Sequence, residues 1–336
     1  MSINEPKIKG FDNPLLYDKL NSPQCTCGEC PRFYFNSLHI GSRGSGKTHT
    51  VCDMVRHYET QKLMRDNTEY KLRTHLISPT IDANPIFKSL ESLDMEKDAH
   101  DEYSDEILQK IIKDIREKKE KYDEYIKYQD YYKIFHKTPE SKLDKLYDEK
   151  PEIFHLLEQY DYVHPSLFPI DDEKPSLNII ILDDLLGTSA FTRKTKSVLT
   201  NALIKNRHCG ITFCILVQSI KAVPKSIRLN CNVIQLCKFQ NQNIILNDLY
   251  EEVSNTLTLE DFYAMYLYCL AKPYGSLIID MSDKEKKFSC NFGTRLTIGD
   301  IKTSQKEKKD KPKGATEPLG LEKDKPKGTT DPLGKS

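Results

Sequence analysis

Residues 40 to 50 read Ile-Gly-Ser-Arg-Gly-Ser-Gly-Lys-Thr-His-Thr, IGSRGSGKTHT. The positions of Gly41, Gly44, Gly46, Lys47 and Thr48 fit G-x-x-x-x-G-K-[ST], a loop whose glycines let successive backbone N–H groups turn inward around phosphate oxygens. Gly41, Ser42, Arg43, Gly44, Ser45, Gly46, Lys47 and Thr48 are therefore the candidate nucleotide-binding residues. Lys47 would reach the outer phosphates, and the Thr48 hydroxyl would sit on Mg²⁺. The flanks agree: Phe33 to Ile40 is aromatic and β-branched, whereas Val51, Met54, Val55 and Tyr58 recur at helical spacing. Strand, glycine loop and helix follow in the order that aims a helix N-terminus at the phosphates.

Farther along, two apolar runs end in polar residues. Leu177-Asn178-Ile179-Ile180-Ile181-Leu182 stops at Asp183-Asp184, and Ile211 to Val217 stops at Gln218-Ser219. Near-continuous apolar runs of this length suit strands of a parallel sheet buried on both faces. Asp183 then stands where an acid must be to hold Mg²⁺ through water across from Thr48. Asp184 follows as the general base for the attacking water. Gln218 stands where an amide can face the γ-phosphate, donating to it and accepting from water. Arg228 and, second, Arg207 are candidates for an arginine supplied across a subunit boundary to stabilise transferred charge. No guanine-specifying N-K-x-D motif is found, nor the Arg-rich lid of a nucleotide kinase. The expected nucleotide is ATP.

Further strands are expected at Thr74 to Ser78, Val233 to Phe239 and Ser276 to Asp280, with helices at Lys194 to Lys205 and Leu259 to Leu270. This alternation predicts an α/β P-loop NTPase fold, a mostly parallel sheet with helices on both faces and an added strand between those carrying the loop and Asp183. Such an arrangement is called ASCE-type. A charged helical insertion is expected over about 96–165, where Ile107, Leu108, Ile111, Ile112 and Ile115 form one stripe and Tyr122, Tyr125, Ile126 and Tyr132 a looser one. Asp105 and Glu106 would complement the dipole at that helix's start.

The domain scheme is an irregular segment over 1–32, an ATPase domain over 33–299 and a tail over 300–336. In the tail, KDKPKGATEPLG at 309–320 recurs as KDKPKGTTDPLG at 323–334. So little apolar content cannot bury a core, and a disordered tether is expected.

The whole chain of 336 residues balances 50 Lys and Arg against 50 Asp and Glu. A protein-wide basic field is excluded, so nucleic acid would have to meet a local patch or a ring of subunits. No apolar run approaches a membrane span and the start lacks a signal-peptide core, which leads us to expect a soluble intracellular protein. Its ten cysteines then read as reduced thiols. Cys25, Cys27 and Cys30 could offer three thiolates to zinc, but a structural site wants a fourth ligand and none nearby is evident. Three thiols in a loop before the first strand are the preferred reading.

HIGSRGSGKTHT, HLISPT, NIIILDD, NRHCGITFCILVQSIKAVPKSIRLNCNVIQLCKF and YEEVSNTLTLEDFYAMYLYCLAKPYGSLIID, in that order, resemble the poxvirus-type genome-packaging ATPases of large DNA viruses and related elements. These belong to the FtsK–HerA division of P-loop ATPases. The resemblance covers roughly residues 30 to 295. It implies ATP-driven movement of double-stranded DNA into a capsid by a homo-oligomeric ring docked on capsid or portal-type viral proteins. It also implies residence in the host cytoplasm or viral factory, or association with virions. The insertion, the cysteine cluster and the repeat tail are departures from that pattern.

Overall fold

The computed structural model describes residues 30–65, 67–191, 197–239, 242–253, 257–282, 287–297 and 299. Cys25, Cys27 and the repeat tail, with the zinc and tether readings attached to them, lie outside these residues. The chain runs β1 (Asn36–Ile40), α1 (Lys47–Glu59), β2 (Leu63–Arg65), β3 (Thr68–Ile77), β4 (Ala99–His100) and α2 (Asp105–Lys137). It continues through α3 (Leu143–Glu149), α4 (Pro151–Gln159), β5 (Ser176–Asp183), α5 (Val198–Ile204), α6 (Asn206–Cys209) and β6 (Ile211–Val217). The last part comprises α7 (Lys225–Arg228), β7 (Val233–Leu236), α8 (Gln242–Val253), α9 (Leu259–Leu270), β8 (Leu277–Asp280), β9 (Phe288–Cys290) and β10 (Thr294–Arg295).

The strands form one sheet in the order β10-β9-β8-β7-β1-β6-β5-β3-β2, with β4 also on β3. Strands β7, β1, β6, β5 and β3 are parallel neighbours. β6 lies between β1 and β5, which is the ASCE-type order. Parallelism ends at both flanks, because β2 pairs antiparallel with β3, and β8, β9 and β10 form an antiparallel run beyond β7. β8, expected as one more strand of a parallel sheet, thus runs opposite to β7.

Alternation explains why the central strands are apolar throughout. Leu177, Ile179 and Ile181 of β5 pack with Val51, Met54, Val55 and Tyr58 of α1 on one face. Ile180 and Leu182 pack on the other with Leu199 of α5, Leu246 of α8, Phe262 of α9 and Leu108 of α2. Both faces are covered by helices.

The insertion divides in two. Ser104 caps α2, its hydroxyl accepting from the Ile107 N–H at 3.1 Å, and Leu108, Ile111 and Ile115 join the main core. The distal half instead builds a separate aromatic core with α4, centred on Tyr125, Tyr128, Ile153, Leu157 and Phe168. Tyr128, which the apolar stripe read from the sequence omits, is fully buried and donates its hydroxyl to the Val163 carbonyl at 2.6 Å. Ile126, placed in that stripe, is 38% exposed. Among the described residues no helix is long and apolar enough to cross a membrane.

Candidate nucleotide site

The loop residues Gly41–Thr48, Asp183, Asp184 and Gln218 gather at the C-terminal edge of the parallel strands, where chain reversals leave the tips of β1, β5 and β6 side by side. The glycine loop leaves β1 with its root pinned: the Gly41 N–H donates to the Val217 carbonyl at 3.2 Å, and the Ser42 N–H to that of Lys238 at 2.9 Å. Gly41 has no alternative, since a Cβ there would lie 2.4 Å from Ser45 Oγ and 2.7 Å from Cys237 Cβ. Gly46 caps α1 at φ 94, a left-handed backbone that side chains resist.

The Lys47 ammonium lies along the loop, donating to the Gly41 carbonyl at 2.7 Å and that of Ser42 at 3.0 Å. Burial pulls its pKa below the usual lysine range, opposed by the Cys237 thiol and the Asp183 and Asp184 carboxylates.

Asp183 ends β5 almost fully buried, and burial, with the charge of Asp184 next to it, pushes its carboxyl up to about 6. Asp184 turns the chain at φ 53, and its Oδ1 accepts from Gln218 Nε2 at 3.0 Å. The acid at the tip of β5 and the amide at the tip of β6 are therefore already joined. Asp183 and Asp184 gather negative charge beside one buried cation, a donor set suited to Mg²⁺, which is held by one or two protein oxygens and completes its shell with water and phosphate. Thr48 and Asp183 would hold it. Among the described residues no group of three or more His, Cys, Asp or Glu could bind a metal unaided, and Mg²⁺ in such a site needs none. Cys30, the one described member of the candidate zinc trio, is buried in the cluster that packs α1 against the sheet.

The two arginines stand elsewhere. Arg228 is held within its own chain, its Nη2 2.6 Å from Glu252 Oε1 and its Nε 3.3 Å from Oε2, with Nη1 donating to the Val223 carbonyl at 3.2 Å. Arg207 precedes β6, so the length of that strand, about 20 Å, separates it from the Gln218 end. It lines a cleft of about 580 Å³ at the opposite edge of the sheet. Basic groups there are largely paired, Lys71 with Asp172 at 2.9 Å and Arg73 with Asp98 at 2.7 Å.

Motif spacing missed a buried polar ladder beneath α1. Ser37 Oγ bonds His39 Nε2 at 2.8 Å and His39 Nδ1 meets Gln235 Oε1 at 2.5 Å. Gln235 Nε2 donates to Ser276 Oγ at 2.9 Å, and Ser276 donates through Oγ and its backbone N–H to Asn291 Oδ1. Burial pushes His39 down to about 4, so it stays neutral. The only trace in the sequence is polar residues alternating with Leu38 and Ile40. Also missed was a cavity of about 440 Å³ flanking α1, lined by His49, Asp53, Tyr274 and Asn291 among others.

No protein-family model matches the chain, and no curated protein matches it. Among solved structures, the chain is similar to the genome packaging NTPase B204 from Sulfolobus turreted icosahedral virus 2 in complex with AMP, at 11% identity and a TM-score of 0.42 over 76% of this chain and 96% of that one. It is also similar to EssC (ATPases 2 and 3) from Geobacillus thermodenitrificans, at 14% identity and a TM-score of 0.40 over 83% of this chain and 45% of that one.

Proposed function

We propose that this chain is an ATP-hydrolysing motor that moves double-stranded DNA, packaging a viral genome as a homo-oligomeric ring docked on capsid or portal-type proteins in the host cytoplasm or viral factory. The observation that carries the enzymatic half is the 3.0 Å contact of Gln218 with Asp184, beside buried Asp183 and next to the Lys47 loop. Lys47 binds the outer phosphates in place of its present carbonyl partners. Asp184 takes a proton from the attacking water, and Gln218 both orients Asp184 and reads the γ-phosphate. Mg²⁺, when bound through Thr48 and Asp183, supplies neutralisation of the developing phosphate charge.

The DNA half is supported by the family resemblance of the ordered segments from HIGSRGSGKTHT to YGSLIID, which extend well beyond the phosphate loop. The test measures ATP turnover with and without duplex DNA. Stimulation by intact duplex and movement along it without strand separation are expected, with no turnover in Lys47→Ala. Strand separation would make the chain a helicase of the same division. Turnover indifferent to DNA would leave a nucleotide-gated assembly factor.

A further inference from the structure

We propose that the cavity of about 440 Å³ beside α1 is the nucleobase subsite and that Tyr274 is its stacking platform for a purine ring. The proposal rests on reading Gly41–Thr48 as the phosphate loop and adds which residues receive the other end of the ligand. Strand order gives the direction. The groups suited to the outermost phosphate, Asp183, Asp184 and Gln218, stand on β5 and β6, to one side of β1. The inner phosphate, ribose and base must therefore leave the loop past the first turn of α1 on the other side, toward β7 and β8. The cavity lies there, between His49 and Asp53 of α1 and the turns that carry Tyr274 and Asn291.

Its volume is within the range of small-molecule sites. Tyr274 is the side chain to receive a flat ring. It is 71% exposed, yet it is not loose on the surface, because its Cβ and Cδ1 lie 3.2 and 3.3 Å from where a Cβ on Gly46 would be. One side of the residue thus leans on the loop while the ring remains open to a partner. Its backbone is left-handed at φ 56, and Asn291 across the cavity is left-handed at φ 51. Asparagine adopts that conformation readily but tyrosine rarely does, and where the surrounding structure enforces it in a bulky residue the site is often one that binds. The Asn291 turn is held in place, since Asn291 Oδ1 accepts from both the N–H and the hydroxyl of Ser276, and Ser276 is in turn bonded to Gln235. The buried ladder under α1 thereby ties the Asn291 side of the cavity to β1. Asp53 lines the α1 side of the cavity with its carboxylate held by His49 at 2.7 Å and by Arg56.

The test is calorimetric binding of ATP and of inorganic tripolyphosphate, each with Mg²⁺, to the full chain and to its Tyr274→Ala and Tyr274→Phe variants. The wild-type chain should bind ATP more tightly than tripolyphosphate. Tyr274→Ala should weaken ATP on the order of 10-fold, the effect of losing one base-aromatic stack, and leave tripolyphosphate unchanged. Tyr274→Phe should keep wild-type affinity for both. Unchanged ATP affinity in Tyr274→Ala overturns the subsite while leaving the phosphate loop standing. Equal weakening of both ligands also overturns it, since Tyr274 would then only support the loop. Failure of the wild-type chain to bind either ligand refutes the phosphate-loop reading itself.

Discussion

Asp183, which we propose as an Mg²⁺ ligand, would bear opposed demands, since metal binding needs it ionised and its surroundings resist ionisation. With its carboxyl at about 6 rather than the ordinary 3.8, ionising it in the folded chain costs on the order of 3 kcal/mol. Between about pH 4 and 6 the unfolded chain has released this proton and the folded chain keeps it, so the contribution of Asp183 to stability falls as pH rises through that window. Asp183→Asn should therefore stabilise the metal-free protein by about 3 kcal/mol at pH 7.5 and by almost nothing at pH 4, while ending Mg²⁺-dependent turnover. Urea unfolding at the two pH values checks it, and equal effects at both would contradict the burial argument. His39 has the opposite sign: pushed down to about 4, it favours the fold above about pH 6.5 and loses that contribution as pH falls toward 4. With Asp183 removed, the acid-side loss from His39 should stand out as a steeper curve. Asp184→Asn makes a different prediction. The Gln218 amide can still donate to the remaining oxygen, so ATP should bind and persist unhydrolysed in single-turnover assays. Wild-type turnover in that variant would remove Asp184 from the role of base.

At the level of elements, α2 is one helix serving two cores. Its first three turns are held by the sheet through Leu108, Ile111 and Ile115, and its far half by α4 through Tyr125 and Tyr128. Lys121, on the helix between the two, stands 4.6 Å from the Tyr160 ring and 4.8 Å from that of Phe168. Tyr128→Ala should cost about 3–5 kcal/mol locally, as removal of a buried aromatic does. Hydrogen exchange should then rise over residues 122–170 and stay low in β1, β5 and β6. Ile115→Ala should do the reverse, raising exchange where α2 meets the sheet. The start of this helix was legible from the acidic first turn, Asp105 and Glu106. Its second core was not, because aromatics four residues apart show a face without showing what covers it.

For the molecule as a whole, the question is which arginine completes the site. Arg228 is bound by Glu252, so Arg228→Ala leaves a mostly buried carboxylate alone and should lower stability by about 1–3 kcal/mol, a loss that Glu252→Gln in the same chain should partly restore. Arg207, about a strand's length from its own phosphate loop, could act only on a neighbouring subunit. Mixing Asp184→Asn with Arg207→Ala, and separately with Arg228→Ala, distinguishes them. The pair that recovers part of the activity neither variant has alone identifies an arginine working in trans. No recovery from either pair, in rings shown to be mixed, would exclude both.

The sequence by itself determined the glycine loop and the two apolar strands that run up to Asp183-Asp184 and Gln218. Local spacing carries this information, since a glycine loop, an apolar run and its terminal acid are contiguous in the chain. Only the tertiary structure decided that Gln218 meets Asp184, that Arg228 is tied to Glu252, and that β8 to β10 run antiparallel. The same holds for Tyr274 lying against Gly46, 228 positions earlier in the chain. Each of these depends on which strands neighbour one another. That choice is made by burying both faces of the sheet at once, and no single stretch of residues encodes it.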